Sequence, residues 1–281
     1  MSRNGNVLSL FDGMSCGRLA LDRAGVKYNK YYASEIDKHT IQIAQDNFPD
    51  TIQLGDVLNI KGNDLPKIGL LIGGSPCQGF SFAGNQLNFD DPRSKLFFEF
   101  VRLMKELKPT YFLLENVPMR KEYQNIISQH LGVEPIEINS SLVSAQKRRR
   151  LYWTNIPNID LPQDKGILLK DVLEDVEHPI IWKKWANYVP KDLPELVDPY
   201  NKRAWNHNKS SALRTNVSNG NMWIKCEGGY RNLTRIECER LQTIPEGYTS
   251  SVSESQAKRM LGNGWTVDII AHIFRKIIES N

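Results

Sequence analysis

Cys77 stands in the stretch LLIGGSPCQGFSFAG, residues 70–84, where an apolar run stops at Gly73 and Gly74 and a thiol follows Pro76 into a small, glycine-rich loop. A thiol attacks carbon as its thiolate, and a loop beyond a strand end is where such a group can meet a substrate. The competing role for an unpaired cysteine is that of a small buried hydrophobe. Carboxyl groups recur in the same relation to apolar runs: Asp12 and Gly13 follow LSLF, Glu35 follows YYAS, Asp56 follows TIQLG, and Glu115 and Asn116 end YFLLEN. Ligands of open parallel sheets bind beyond the carboxyl ends of the strands, so this spacing sends four acids and a thiol to one edge. Glu35 has the place of the acid that takes ribose hydroxyls in nucleoside-binding sheets, and Asp37 that of a helix cap. The turn FDGMSCG, 11–17, lacks the Gly-x-Gly-x-x-Gly spacing of a pyrophosphate site, which argues against dinucleotide-dependent oxidoreduction.

Positioning these groups requires strands alternating with helices. NVLSLF (6–11), YYASEI (31–36), IGLLIGG (68–74) and TYFLLEN (110–116) are short, apolar and closed by polar or glycine breaks, as strands are. In SKLFFEFVRLMKELKP, Leu96, Phe97, Phe100, Val101, Leu103, Met104 and Leu107 share one helical face, and Pro109 stops the run. Such alternation predicts an α/β fold with a parallel sheet covered on both faces. Beyond it the text turns rich in Pro, Asn, Lys and Trp and loses its period, which predicts a small irregular region. The period returns in TVDIIAHIFRKIIES, a helix expected to pack back on the first domain. The expected division is 1–158, 159–248 and 249–281.

With 281 residues, 40% of them apolar, the chain can bury a full core. Its 36 basic and 32 acidic residues leave a net charge of +4, which permits nucleic-acid binding without announcing it. The four cysteines, Cys16, Cys77, Cys226 and Cys238, form no Cys-x-x-Cys pair, so neither a metal site nor a disulfide framework is expected. No segment approaches the roughly 18 apolar residues needed to span a bilayer. The expectation is a soluble protein of a reducing interior, cytoplasmic, or nuclear in a eukaryote.

Taken together, the motifs resemble those of the cytosine-5 DNA methyltransferases. GGSPCQGFS and the later ENV are similar to the nucleophile and acid motifs, LSLFDGMSCGRLALDRAG to the first cofactor motif, and ASEID (33–37) and GDV (55–57) to the second and third. QKRRRLYW matches a Gln-x-Arg-x-Arg pattern through Gln146, Arg148 and Arg150; RNLTRIECERLQTIPEGY (231–248) and LGNGWTVDIIAHI resemble the motifs that follow target recognition. The Phe-Asp-Gly start and the GNGW turn depart from commoner bacterial forms and lean toward the compact branch that resembles the de novo enzymes. The resemblance implies a Rossmann-like S-adenosylmethionine-dependent methyltransferase sheet with a small target-recognition domain.

It also implies roles. Carbon 5 of cytosine is a poor nucleophile until a thiolate adds to carbon 6, so Cys77 would attack, Glu115 would serve ring nitrogen 3, and Arg148 and Arg150 would add fixed cations. S-adenosylmethionine would be held by Phe11, Asp12, Gly13, Gly17, Glu35, Ile36, Asp56, Val57 and Pro76, with Asn263 and Trp265 closing the site. Ser75, Gln78, Gly79, Ser81, Asn116 and Gln146 would meet the base, which must be flipped out of duplex DNA. The loop 78–95, with glycines at 79 and 84, would close as a lid. Lys183, Lys184, Lys202, Arg203, Lys209 and Arg214, beside Trp182, Trp185 and Trp205, would face DNA; arginines and Asn216 suit base edges, lysines suit phosphates. A restriction endonuclease in the same cell is a possible partner. The rival readings are an RNA cytosine-5 methyltransferase and an inactive DNA-binding homologue, the latter disfavoured because a mere binding module has no use for Cys77 with Glu115 and Arg148.

Overall fold

The computed structural model describes residues 5–75, 95–175, 196–198, 203–205, 208–215, 223–226 and 229–279. Their contacts gather into two units, one of residues 1–139, 149–162 and 267–281, the other of residues 140–148 and 163–266. The stretch 249–281, expected as one segment, is thus parted between Thr266 and Val267, and 140–148 joins the second unit.

The first unit is an α/β sheet. β1 (Asn6–Leu10), β2 (Tyr31–Ser34), β3 (Ile52–Gln53), β4 (Ile68–Gly73), β5 (Tyr111–Asn116), β6 (Ile136–Asn139) and β8 (Arg149–Thr154) pair in the order β3-β2-β1-β4-β5-β8-β6. The strands from β3 to β5 are parallel, and β8 runs antiparallel to both neighbours. Central parallel strands are covered on both faces, and the sequence obeys this: every residue of β4 is buried, and Val7, Leu8 and Leu10 of β1 are fully so. α1 (Cys16–Ala24), α2 (Lys38–Asn47), α3 (Lys95–Leu107) and α4 (Lys121–Leu131) connect the strands. α3 lays Phe97, Phe100, Val101 and Leu103 on the sheet, as its spacing predicts. Phe100 comes so near β4 that a Cβ at Gly73 would lie 3.1 Å from its ring and 3.1 Å from the Leu10 carbonyl, which is why that strand ends in glycine. Asp37 caps α2, accepting from the amides of His39 and Thr40 at 3.0 and 3.2 Å. α7 (Val267–Glu279) packs on α1, burying Ile270, Ile273, Phe274 and Ile277, and Arg23 of α1 meets Asp268 at 2.5 Å.

The second unit holds β9 (Leu196–Asp198), β10 (Arg203–Trp205), β12 (Trp223–Cys226) and β13 (Gly229–Asn232) in an antiparallel sheet ordered β10-β9-β12-β13. Beside it, β7 (Gln146–Lys147) pairs in parallel with β11 (Ser210–Ser211). Val197, Trp223 and Tyr230 make a miniature core. α5 (Arg235–Leu241) and α6 (Glu254–Asn263) each start with a capping box, Thr234 with Glu237 and Ser253 with Gln256. Gly262 near the end of α6 lies under the backbone of the 213–215 segment, so close that a Cβ would fall 2.4 Å from the Arg214 carbonyl oxygen.

Two substitutions test this packing. Phe274→Ala should cost about 3–5 kcal/mol in urea unfolding, as a deleted core ring does, and a loss under about 1 kcal/mol would mean that α7 is not seated on the sheet unit. Gly262→Ala sets helix propensity, worth about 1 kcal/mol in favour of alanine, against overpacking of about 1–3 kcal/mol; the obstacle is backbone, so overpacking wins. A lowered melting temperature and faster amide exchange at Leu213–Thr215 are expected, and an unchanged melting point would refute the close approach.

Candidate active site

The strand order reverses between β1 and β4: the chain builds outward through β2 and β3 on one side, then returns to build β5 on the other. The loops after β1 and β4 therefore separate, leaving a crevice at the carboxyl ends, where ligands of such sheets bind. What borders it can be taken strand by strand.

After β1 the backbone turns through three left-handed residues, Phe11 (φ 56°), Gly13 (φ 60°) and Ser15 (φ 61°). A non-glycine residue there costs on the order of 1 kcal/mol or more, and two within five positions mark a turn whose shape is imposed by its surroundings. Phe11 packs on the sheet core. A Cβ at Gly13 would meet nothing within 4 Å, so this face of the turn is open. Gly17 is buried in the first turn of α1. Asp12 is almost wholly buried; its carboxylate accepts from the Ser15 hydroxyl at 2.5 Å and the Tyr31 hydroxyl at 2.7 Å. Burial pushes its pKa up to about 6, the hydroxyl hydrogen bonds pull the other way, and the charge of Glu35 adds to the rise. Because Ser15 turns its hydroxyl to Asp12, α1 begins with no side-chain cap.

After β2, Glu35 accepts from three backbone amides, Gly13 at 2.9 Å, Ile36 at 2.8 Å and Asp37 at 3.0 Å, and so ties the β1 turn to the end of β2. Ile36 beside it is 74% exposed, and Leu58, after β3, is 60% exposed. Two aliphatic side chains left in water at the strand ends are suited to the faces of an apolar ring. Asp56 caps the short turn Val57–Asn59 through the Leu58 amide at 3.0 Å. Val57 is buried in the sheet core, so it offers a ligand its backbone and not its side chain.

After β4, Ser75 is buried, and the Asn116 amide donates to its hydroxyl at 3.2 Å, joining the ends of β4 and β5. Pro76, Cys77, Gln78, Gly79, Ser81 and the expected lid at 78–95 lie outside the described residues up to position 94. Glu115, the register partner of Tyr152 on β8, is largely buried and pairs with Arg150 across 2.9 Å. Glu115 and Arg150 are thus brought together, as are Asp12, Gly13 and Glu35.

Gln146 and Arg148 fall in the second unit, where the structure gives them other partners. The Arg148 guanidinium is buried and donates to the carbonyls of Leu213 (3.2 Å), Gly262 (3.1 Å) and Gly264 (2.9 Å). Gln146, fully buried, donates to the Leu241 carbonyl at 3.1 Å and accepts from the Leu213 amide at 2.8 Å. Gln242, which the sequence did not single out, donates to the Leu261 carbonyl at 2.5 Å and the Gly264 carbonyl at 3.1 Å and accepts from the Thr266 hydroxyl. This network sets the turn bearing Asn263, which is exposed, and Trp265, which is half-buried.

Two basic residues expected to face DNA are engaged within the same unit. Lys209, 15% exposed, donates to the carbonyls of Ser141 and Ser144, a correction to its expected place on phosphate: an ammonium among carbonyls is a cross-link. Arg214 meets the buried Asp198 at 2.6 Å and 3.4 Å. Trp182, Trp185, Lys183, Lys184, Lys202 and Asn216 lie outside the described residues, as do the side chains of Arg203 and Trp205. Among the other cysteines, burial pushes the Cys238 thiol up to about 12, which keeps it protonated and unreactive near neutrality, and Cys16 is buried too. Among the described residues no group of His, Cys, Asp and Glu could hold a metal ion, and no helix is long and apolar enough to cross a membrane.

Comparison with known proteins agrees with this arrangement. The profile of the C-5 cytosine-specific DNA methylases matches residues 5–158 and 163–279. The type II methyltransferase M1.ScrFI of Lactococcus lactis subsp. cremoris is 30% identical over 305 residues, taking in 97% of this chain and 78% of the relative. M.NlaX of Neisseria lactamica, also a type II methyltransferase, is 29% identical over 294 residues, covering 95% of this chain and 94% of its own. The solved structure of the Entamoeba histolytica methyltransferase EhMeth shares the fold, with a TM-score of 0.75 at 18% identity over 99% of this chain and 98% of that one. The chain belongs to the family of C-5 cytosine-specific DNA methylases.

Proposed function

We propose that this protein transfers a methyl group from S-adenosylmethionine to carbon 5 of a cytosine flipped out of duplex DNA, with Cys77 as the nucleophile. The observation that carries the reading is the pairing of Glu115 with Arg150 at the end of β5, on the strand whose Asn116 ties down Ser75, two residues before Cys77. The family match over nearly the whole chain supports the same assignment.

In this reading the Cys77 thiolate adds to carbon 6, and the electron pair of the 5,6 double bond moves into the ring toward nitrogen 3 and oxygen 2. Glu115 shares a proton with nitrogen 3, and Arg150 fixes the Glu115 carboxyl and adds cationic donors beside the charge that develops. The cofactor supplies an electrophilic methyl to carbon 5. Loss of the carbon 5 proton and expulsion of the Cys77 sulfur then restore the aromatic ring. Ser75 and Asn116 stand on the base side of the crevice, and Gln78, Gly79 and Ser81 are assigned to the base by resemblance alone. Arg148 and Gln146 act one step back, shaping the segments that their hydrogen bonds join.

The strand ends suit S-adenosylmethionine. Ile36 and Leu58 offer apolar surface to an adenine, Asp56 an acceptor for its amino group, and Glu35 a carboxylate for the ribose hydroxyls. The turn of Phe11, Asp12, Gly13 and Gly17 takes the amino-acid end; Pro76, Asn263 and Trp265 enter by resemblance. The second unit reads the DNA, and a cognate restriction endonuclease is a separate protein rather than a subunit.

Cys77→Ala should abolish methyl transfer while leaving the melting temperature and DNA affinity nearly unchanged, because the thiol acts only after the base is bound. DNA carrying 5-fluorocytosine should trap the unaltered protein as an adduct stable on denaturing gels; normal turnover by the variant, or no adduct, would sink the assignment. Glu35→Ala should weaken cofactor binding at least tenfold, about 1.4 kcal/mol, since both the ribose acceptor and the tie to Gly13 go. An unchanged dissociation constant in calorimetry would show the ribose to be elsewhere.

A further inference from the structure

The Asp12 carboxyl is an uncommon object for a strand end. Hydroxyls face it from three elements, Ser9 on β1, Ser15 at the start of α1 and Tyr31 on β2, and Glu35 beyond β2 adds like charge. Among the described residues none of its partners is a cation. The base of α1 that stacks on the Tyr31 ring, Arg18, directs its guanidinium to Asp50 at 2.7 Å, Thr51 at 2.6 Å and Tyr28 at 3.0 Å. Arg23, further along, is taken by Asp268. A buried carboxylate with only hydroxyl donors and an acid for a neighbour lacks a positive charge.

The reading of this turn as the seat of the cofactor's amino-acid end supplies one, and the inference rests on that reading. We propose that Asp12 is the counter-charge for the α-ammonium group of S-adenosylmethionine, and that whatever fraction of it is protonated in the empty site gives up its proton when the ammonium arrives. The balance is simple: the carboxylic acid loses one proton to solvent, and the ion pair formed is neutral. Tyr31 and Ser15 donate to the carboxylate of this ion pair.

The sign of the pH dependence follows. With the empty-site pKa near 6 and the occupied-site value lower, binding releases a proton below and around pH 6. Affinity therefore rises with pH, by up to about tenfold per unit below pH 6, and levels off above it. Glu35 belongs to the same site, but its carboxylate is already engaged with three amides.

Calorimetric titration of the whole protein with S-adenosylmethionine, in buffers of different ionisation enthalpy between pH 5 and 7, counts the protons. About half a proton per cofactor is expected at pH 6 and close to none at pH 7.5. 5′-Methylthioadenosine, which lacks the ammonium, should bind with no release, and Asp12→Asn should remove the release for S-adenosylmethionine. Tyr31→Phe, which takes one donor from the carboxylate and leaves the acid in place, should move the linkage to higher pH and keeps the test open if Asp12→Asn does not fold. Binding of S-adenosylmethionine with no proton release, or equal release in Asp12→Asn, overturns the inference and leaves the cofactor site standing. No binding at all overturns both.

Discussion

Parallel register is the constraint on which the rest of the first unit depends. β1 aligns Leu10 with Ser34 of β2 and with Gly73 of β4, and β4 aligns Gly73 with Leu114 of β5. β1, β2 and β4 therefore end level, β5 runs on through Glu115 to Asn116, and the apolar runs that let these strands be covered on both faces stop together at Leu10, Gly73 and Leu114. The polar residues that directly follow these apolar runs, Asp12, Glu35, Ser75 and Glu115 among them, therefore fall at the rim at the carboxyl ends. The reversal of strand order between β1 and β4 then opens the rim where Asp12 and Ser75 stand.

Backbone shape at the rim is set by polar side chains. Left-handed Phe11 and Ser15 are unfavourable alone, yet the Glu35 carboxylate grips the amide between them and Ser15 anchors to Asp12. Two charge-assisted bonds at roughly 1.5–3 kcal/mol each offset two strained residues at about 1–2 kcal/mol each. Glu35 thus has a structural task in the empty protein.

Much of this was legible in the sequence. Every expected strand and the amphipathic α3 and α7 follow from period and punctuation, because burial selects apolar residues at fixed spacing. What period does not reveal is how a motif divides. Arg148 and Arg150, two positions apart, belong to different units, one binding three carbonyls and the other Glu115. Both guanidiniums look alike in the text, since the partner carbonyls belong to backbone that carries no sequence signal. Gln242 escaped notice for the same reason, and Lys209 was misjudged because solvation is the default for a lysine.

The second unit relies on that hidden chemistry. Besides its buried apolar residues, Gln146, Arg148, Gln242 and Thr266, all buried, join segments distant in sequence by hydrogen bonds. A fully satisfied polar network is directional where an apolar core is not: the loss of one member strands the others, so a displaced arrangement is penalised more steeply than a looser core would penalise it. In the DNA-reading role proposed for this unit, fixed geometry is worth more than added stability. At Gly262 the same logic reaches the backbone, where the only side chain admitted beneath the Arg214 carbonyl is a hydrogen atom.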